Sequence, residues 1–222
     1  MHTATFTVFG KPESLSSVGV GGEREGRVRV RDMGTLENLV SAFVGESMAR
    51  NRYTFYASIA KEEGFVFISK VFLETAENEK EHAETLFRLI QHLKGKSPTV
   101  SVEAGASLVL GSTAENLKSA IEGERHEHTK MYPEFAEEAE REGLREIAEC
   151  LRAIAKAEEH HEERFRKIYE ALESGEMFKR GEEVAWVCLE CGYIHYGTEP
   201  PEECPSCGHS KAYYVARDML CL

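Results

Sequence analysis

Two short runs pair a carboxylate with an imidazole three residues on, Glu79 with His82 and Glu158 with His161. Residues three apart on a helix share one face, with Cβ atoms about 5–6 Å apart. One acid can then bridge two metal ions while the imidazole caps one of them. Two more acids interrupt apolar stripes elsewhere, Glu46 between Phe43 and Tyr53 and Glu124 between Ile121 and Met131. A buried carboxylate is costly unless it is paired or coordinates a cation, so four inward acids and two inward imidazoles point to metal ions held among them. Oxygen-rich coordination with two imidazoles suits iron or manganese, whereas structural zinc favours thiolates in closed tetrahedral sites. A single Glu-x-x-His on a charged helix reads equally well as a solvated salt-bridge face. Four acids at matched spacings do not.

A second constellation lies near the C-terminus, where Cys188 and Cys191 form one C-x-x-C pair and Cys204 and Cys207 another, twelve residues apart. Four thiolates at this spacing form one tetrahedral site that zinc or iron would fit. The segment from Val184 onward is too short to bury a core of its own. Metal–thiolate bonds are therefore expected to supply its stability. Cys150 and Cys221 stand apart from these pairs and read as free thiols, Cys150 beside the apolar stripe and inert.

The elements that position these groups are legible from periodicity. Ile147, Leu151, Ile154, Phe165, Ile168 and Leu172 recur at spacings of three and four, with Glu158 and His161 filling the gaps, and predict a helix ending near Ser174 and Gly175. Phe72, Thr75, Leu86, Leu89 and Leu93 do the same around Glu79 and His82, from about Phe65 to Leu93. An earlier helix, with Thr35 as its expected N-cap, carries Leu36, Leu39, Phe43 and Ile59 to a stop near Gly64. The break there is short enough to make the first two helices antiparallel. After a long connection over 95–111, Ser112 and Glu115 fit a capping box. They open a helix bearing Leu117, Ile121, Glu124, Glu127, Met131 and Phe135, which Pro133 is expected to kink. Glu46 to Glu124 spans 78 residues, while Glu79 to Glu158 and His82 to His161 each span 79. Tyr53 follows Glu46 by seven residues and Tyr132 follows Glu124 by eight, so the four helices read as an internal repeat.

With 39 acidic and 27 basic residues, the formal net charge of −12 disfavours nucleic acid as a partner. No apolar run approaches the length of a membrane span, and the N-terminus lacks a basic region followed by an apolar one. A cytoplasmic protein without membrane contact is expected. The 222 residues suit one large and one small domain, here 34–175 and 183–222, after an extension over 1–33. In that extension, alternation in TATFTVF and RVRVR predicts a β-hairpin with no assigned chemistry.

One Glu from each of two helices and Glu-x-x-His from each of two others is the donor set of ferritin-like di-iron and di-manganese bundles. From about residue 36 onward the chain resembles the rubrerythrins, through GESMARNRY, ENEKEH, EGERHEHTKMYPEF, EEHHE, CLECGY and CPSCGH. The resemblance implies a mainly α fold, a ferritin-like four-helix bundle with a small C-terminal rubredoxin-type metal-binding domain. It adds Glu127 to the ligands Glu46, Glu79, His82, Glu124, Glu158 and His161, and it implies that Tyr53 and Tyr132 hydrogen-bond ligand carboxylates. Two irons in the bundle and one at the four cysteines would then serve a non-haem peroxidase that reduces hydrogen peroxide to water. Zinc is a substitute at the thiolates. Electrons would come from a donor protein such as a rubredoxin or an NADH-dependent reductase. A homodimer is expected, its small domain serving the partner's di-iron site, and the length of the 95–111 connection allows equally for helices exchanged between chains and for a bundle closed within one chain. Glu127 is expected to bind one iron when oxidised, and His82 to replace it when reduced. Two other readings fit the residues, a ferritin-like protein that binds, oxidises or stores iron, and a zinc ribbon that recruits a protein partner. His126, His128 and His160 fall off the inward face and read as surface residues.

Overall fold

The computed structural model describes residues 34–221; the hairpin expected within 1–33 lies outside the described residues. Helix α1 (Gly34–Glu62) runs into α2 (Val66–Leu93) through a turn at Gly64, whose φ of 87° is a left-handed conformation that glycine enters without a Cβ clash. Phe65 N–H donates to Ala60 O and Gly64 N–H to Lys61 O, the paired bonds of a Schellman motif that close the helix end. The start of α1 differs from the expected Thr35 cap. The chain is already helical at Gly34, and Thr35 donates its N–H to Glu142 Oε1 across 3.0 Å. A carboxylate from a distant helix end therefore satisfies this orphan donor.

After the connection, α3 (Thr113–His126) opens on the expected capping box. Ser112 Oγ accepts from Glu115 N–H, and Glu115 Oε2 accepts from Ser112 N–H. A π-helical turn over Glu127–Met131 follows, closed by Tyr132 N–H donating to Glu127 O. Helix α4 (Tyr132–Arg141) then carries Pro133 in its first turn. The expected kink is thus realised as a wider turn ahead of the proline, where its missing N–H and its ring are tolerated. This turn also explains the repeat's uneven spacing, because it inserts one residue between Glu124 and Tyr132. Helix α5 (Arg145–Glu173) completes the bundle, stopping at Ser174 before Gly175 as the periodicity predicts.

α1 packs along α2, α3 and α4 pack along α5, and the two hairpins close on each other within one chain. Two apolar clusters fill the interior. One is built from Tyr53, Phe72, Leu117, Phe165 and their neighbours. The other is built from Leu39, Leu86, Tyr132, Ile147 and Leu151. On every helix the acids and imidazoles of the repeat fall between the two clusters, as a polar layer across the core.

The chain after Gly175 forms a three-stranded antiparallel sheet, β1 (Val184–Cys188), β2 (Ile194–Gly197) and β3 (Tyr214–Ala216), in the order β2–β1–β3. Trp186 is fully buried and donates Nε1–H to Gly197 O at 2.9 Å. Trp186, Tyr214 and Val215 join the first apolar cluster, so the sheet packs on the end of the bundle beside the α1–α2 turn. Lys70 Nζ on α2 reaches Leu189 O, at 3.0 Å, between the first pair of cysteines. No helix among the described residues is long and apolar enough to cross a membrane.

Candidate metal centres

Glu46, Glu79, Glu124 and Glu158 are all buried in the layer between the apolar clusters, with His161 buried and His82 nearly so. Their ligand atoms form two donor groups, each with all atoms within 4.8 Å of one another. In the first, His82 Nδ1 lies 2.8 Å from Glu158 Oε1, 3.1 Å from Glu79 Oε2 and 4.0 Å from Glu46 Oε2. In the second, His161 Nδ1 lies 2.8 Å from Glu158 Oε2, 3.2 Å from Glu79 Oε1 and 3.6 Å from Glu124 Oε2. Glu79 and Glu158 each give one oxygen to either group, while Glu46 and Glu124 each belong to one.

The tyrosines account for that difference. Tyr53 donates its hydroxyl to Glu124 Oε1 and Tyr132 donates its hydroxyl to Glu46 Oε1, each crossing from one half of the repeat to the other. The outer oxygens are occupied and the Oε2 atoms turn inward. Those inner oxygens, Glu79 Oε1, both oxygens of Glu158 and His161 Nδ1 are buried with no hydrogen-bond partner among the described residues. Each such orphan costs about 1–3 kcal/mol. Cations at the two donor groups would satisfy them, so the residues fit a pair of metal ions.

The crowding of acids and imidazoles in this layer shifts their titration. Burial pushes the Glu46 carboxyl up, helped by the charges of Glu79, Glu127 and Glu158. Burial and the Glu79 charge likewise raise Glu124 to about 8. Burial opposes charge on the imidazoles, yet the surrounding carboxylates outweigh it and raise His82 to about 9 and His161 to about 12. Glu79 goes the other way, to about 2, because the His161 and His82 imidazoles beside it, the latter hydrogen-bonded at 3.1 Å, outweigh its burial.

Glu127 stands apart. It is half-buried on the π-turn, belongs to neither donor group, and lines a cavity of about 610 Å³ together with Arg52, His126 and Met131. Its carboxyl is raised by burial and by Glu124, Glu158 and Glu79, with Arg52 opposing. Sequence reasoning overlooked Arg52, which shares a helix face with Gly45 and Met48 outside the apolar stripe. It also overlooked a clasp at Glu162, which accepts from Arg125 Nη2 at 2.7 Å and lies 2.8 Å from His128 Nε2, joining α5 to the π-turn. His128 is therefore not a plain surface residue, whereas His126 and His160 are exposed as expected.

In the small domain the four cysteines converge, with Cys188 and Cys207 sulfurs 3.8 Å apart and those of Cys191 and Cys204 3.6 Å apart. A tetrahedral ion with bonds of about 2.3 Å sets its sulfurs roughly 3.8 Å apart. The two knuckles are built alike, since Gly192 N–H donates to Cys188 O and Gly208 N–H to Cys204 O, both at 2.8 Å. Both glycines have positive φ, 76° and 72°, which lets the chain turn back after each pair of cysteines.

Residues 37–169 match the rubrerythrin family, and residues 186–215 match the rubredoxin-like domain of rubrerythrins. The chain belongs to the rubrerythrin family. It is 56% identical over 188 residues to a rubrerythrin homologue of Methanocaldococcus jannaschii, covering 82% of this chain and 92% of the other. It is 44% identical over 180 residues to the rubrerythrin of Nitratidesulfovibrio vulgaris, covering 81% and 92%. Among solved structures, that of fully reduced, all-ferrous nigerythrin aligns with a TM-score of 0.54 and 31% identity, over 86% of this chain and 90% of that one. The family's two parts correspond to the bundle with its carboxylate–imidazole donor groups and to the sheet with its four cysteines.

Proposed function

We propose that this rubrerythrin-family chain is a peroxidase that reduces hydrogen peroxide to water at a di-iron site, with electrons relayed through an iron held by Cys188, Cys191, Cys204 and Cys207. The observation that carries the reading is the sharing of Glu79 and Glu158 between two matched donor groups. Carboxylates shared in this way would hold two metals close together, which suits a two-electron reaction better than independent sites do. In the proposed assignment Glu46 and His82 complete one site, Glu124 and His161 complete the other, and Glu127 is an additional ligand. Two ferrous ions bound there would supply both electrons needed to cleave the O–O bond of one peroxide.

The chain's own work is orientation. Tyr53 and Tyr132 hold the outer oxygens of Glu124 and Glu46, so each terminal carboxylate presents one oxygen inward without rotating. The apolar clusters on both sides of the layer bury its four shared and terminal acids, Glu46, Glu79, Glu124 and Glu158. An iron held by the four cysteines would carry one electron at a time, which would suit it to recharging the site from a rubredoxin or an NADH-dependent reductase.

Iron-loaded protein supplied with NADH, a reductase and a rubredoxin is expected to consume peroxide continuously. The Cys188→Ser variant is expected to lose the iron–thiolate absorption and the donor-dependent turnover, while its reduced bundle still reacts once with peroxide. Undiminished donor-dependent turnover in that variant would remove the relay from the reading.

A further inference from the structure

Glu127 is the acid of the layer that neither donor group includes, and Arg52 shares its cavity. Gly45, Met48 and Arg52 line that cavity from one face of α1, and Glu127 enters from the π-turn. The Arg52 Nε is buried with no hydrogen-bond partner among the described residues, so its guanidinium has unspent donor capacity where it meets the cavity wall. Arg52 is also the cation that opposes the like charges around Glu127. Two kinds of anchor are thus within the carboxylate's surroundings, cations that the donor groups would hold and the Arg52 guanidinium that shares its cavity.

We propose that Arg52 is a positioning residue that holds the Glu127 carboxylate on the cavity side and so sets how readily Glu127 becomes a metal ligand. The proposal rests on the di-metal reading above. Bound dications relieve the repulsion from Glu124, Glu158 and Glu79, leaving Glu127 ionised and drawn toward both anchors. Arginine suits the role because its planar fork can hold both oxygens of a carboxylate, whereas lysine offers a point charge. The first half of the repeat has no counterpart to this pair. Ala49 stands 78 residues before Glu127, and α1 has no π-turn.

The test is a Mn(II) titration of metal-free protein against a competing chelator, since this hard ion favours oxygen donors over the cysteines. Wild type is expected to take up two Mn(II) in the bundle; failure to do so would count against the di-metal reading itself. Given that uptake, Arg52→Met is expected to tighten Mn(II) binding about tenfold, the scale of one charge-assisted hydrogen bond. Arg52→Gln should behave alike, and Arg52→Lys should lie between these and wild type. In a Glu127→Gln background the Arg52→Met change should alter binding by less than about twofold, because the group being held is gone. Equal tightening in both backgrounds would overturn the proposal, since Arg52 would then act only as a positive charge near a cation site. No tightening in either background would overturn it too.

Discussion

Tyr53 and Tyr132 occupy the outer oxygens of Glu124 and Glu46, whereas both oxygens of Glu79 and Glu158 face donor groups, so the two kinds of substitution should differ. Tyr53→Phe is expected to keep two metals per bundle but weaken their binding by about 10–100-fold, the usual cost of losing a partner that orients a ligand. Glu158→Ala or Glu79→Ala should lose both metals with helix content retained; metal analysis and far-UV circular dichroism separate the cases. A pH dependence follows from the raised groups. Between its ordinary 4.5 and about 8, folded Glu124 keeps a proton that the unfolded chain has lost. His82 does the same between 6.5 and about 9. Unfolding then releases protons, so stability of the metal-free bundle falls as pH rises through these windows. The depressed Glu79 acts in the opposite sense, but only between about 2 and 4.5. Metal-free protein should therefore melt at lower temperature at about pH 8.5 than at about pH 5.5. Mn(II)-loaded protein should lose less, because the metals replace the protons; equal slopes in thermal melts would count against the protonated layer. At this scale the donor groups were legible because acids and imidazoles broke apolar stripes. Arg52 and Glu162 were not, since a charged residue beside a stripe resembles any solvated one until the fold gives it a neighbour.

The π-turn over Glu127–Met131 is the element that separates the two halves of the repeat. Removing Lys130, which is exposed, would restore the seven-residue spacing found from Glu46 to Tyr53 and keep both flanking helices facing the core. It would also place Pro133 inside a regular helix, at a cost of about 3 kcal/mol from ring clash and the absent N–H. The deletion alone should thus lower stability by about that amount, and adding Pro133→Ala should recover most of it, as read by denaturant unfolding of metal-free protein. If the deletion were harmless with Pro133 in place, the proline would not be the reason for the wide turn. Helix existence and most boundaries were legible from periodicity, and the capping box at Ser112 was local enough to read directly. The cap of α1 was not, because its acceptor Glu142 lies 107 residues away. The extra residue left a trace in the spacing from Glu124 to Tyr132, but a count cannot say whether it is taken up by a kink, a loop or a π-turn.

At the scale of the whole molecule, the small domain packs on one end of the bundle, and the cluster around Tyr53, Phe72 and Phe165 lies between it and the polar layer. Chains carrying Glu158→Ala mixed with chains carrying Cys188→Ser should regain donor-dependent turnover if delivery crosses between protomers, and should stay inactive if each chain serves itself. The two-part architecture was legible because both sets of motifs occur in order, while the docking of sheet on bundle depends on contacts such as Lys70 with Leu189 that no spacing encodes. The central claim is two-electron chemistry at a pair of metals joined by Glu79 and Glu158, and anaerobic peroxide titration of fully reduced, iron-loaded protein tests it most directly. The account predicts rapid oxidation of the bundle iron that is complete at one peroxide per pair of irons, with no hydroxyl radical trapped. Slow oxidation with radical release, at the rate of iron free in solution, would contradict it.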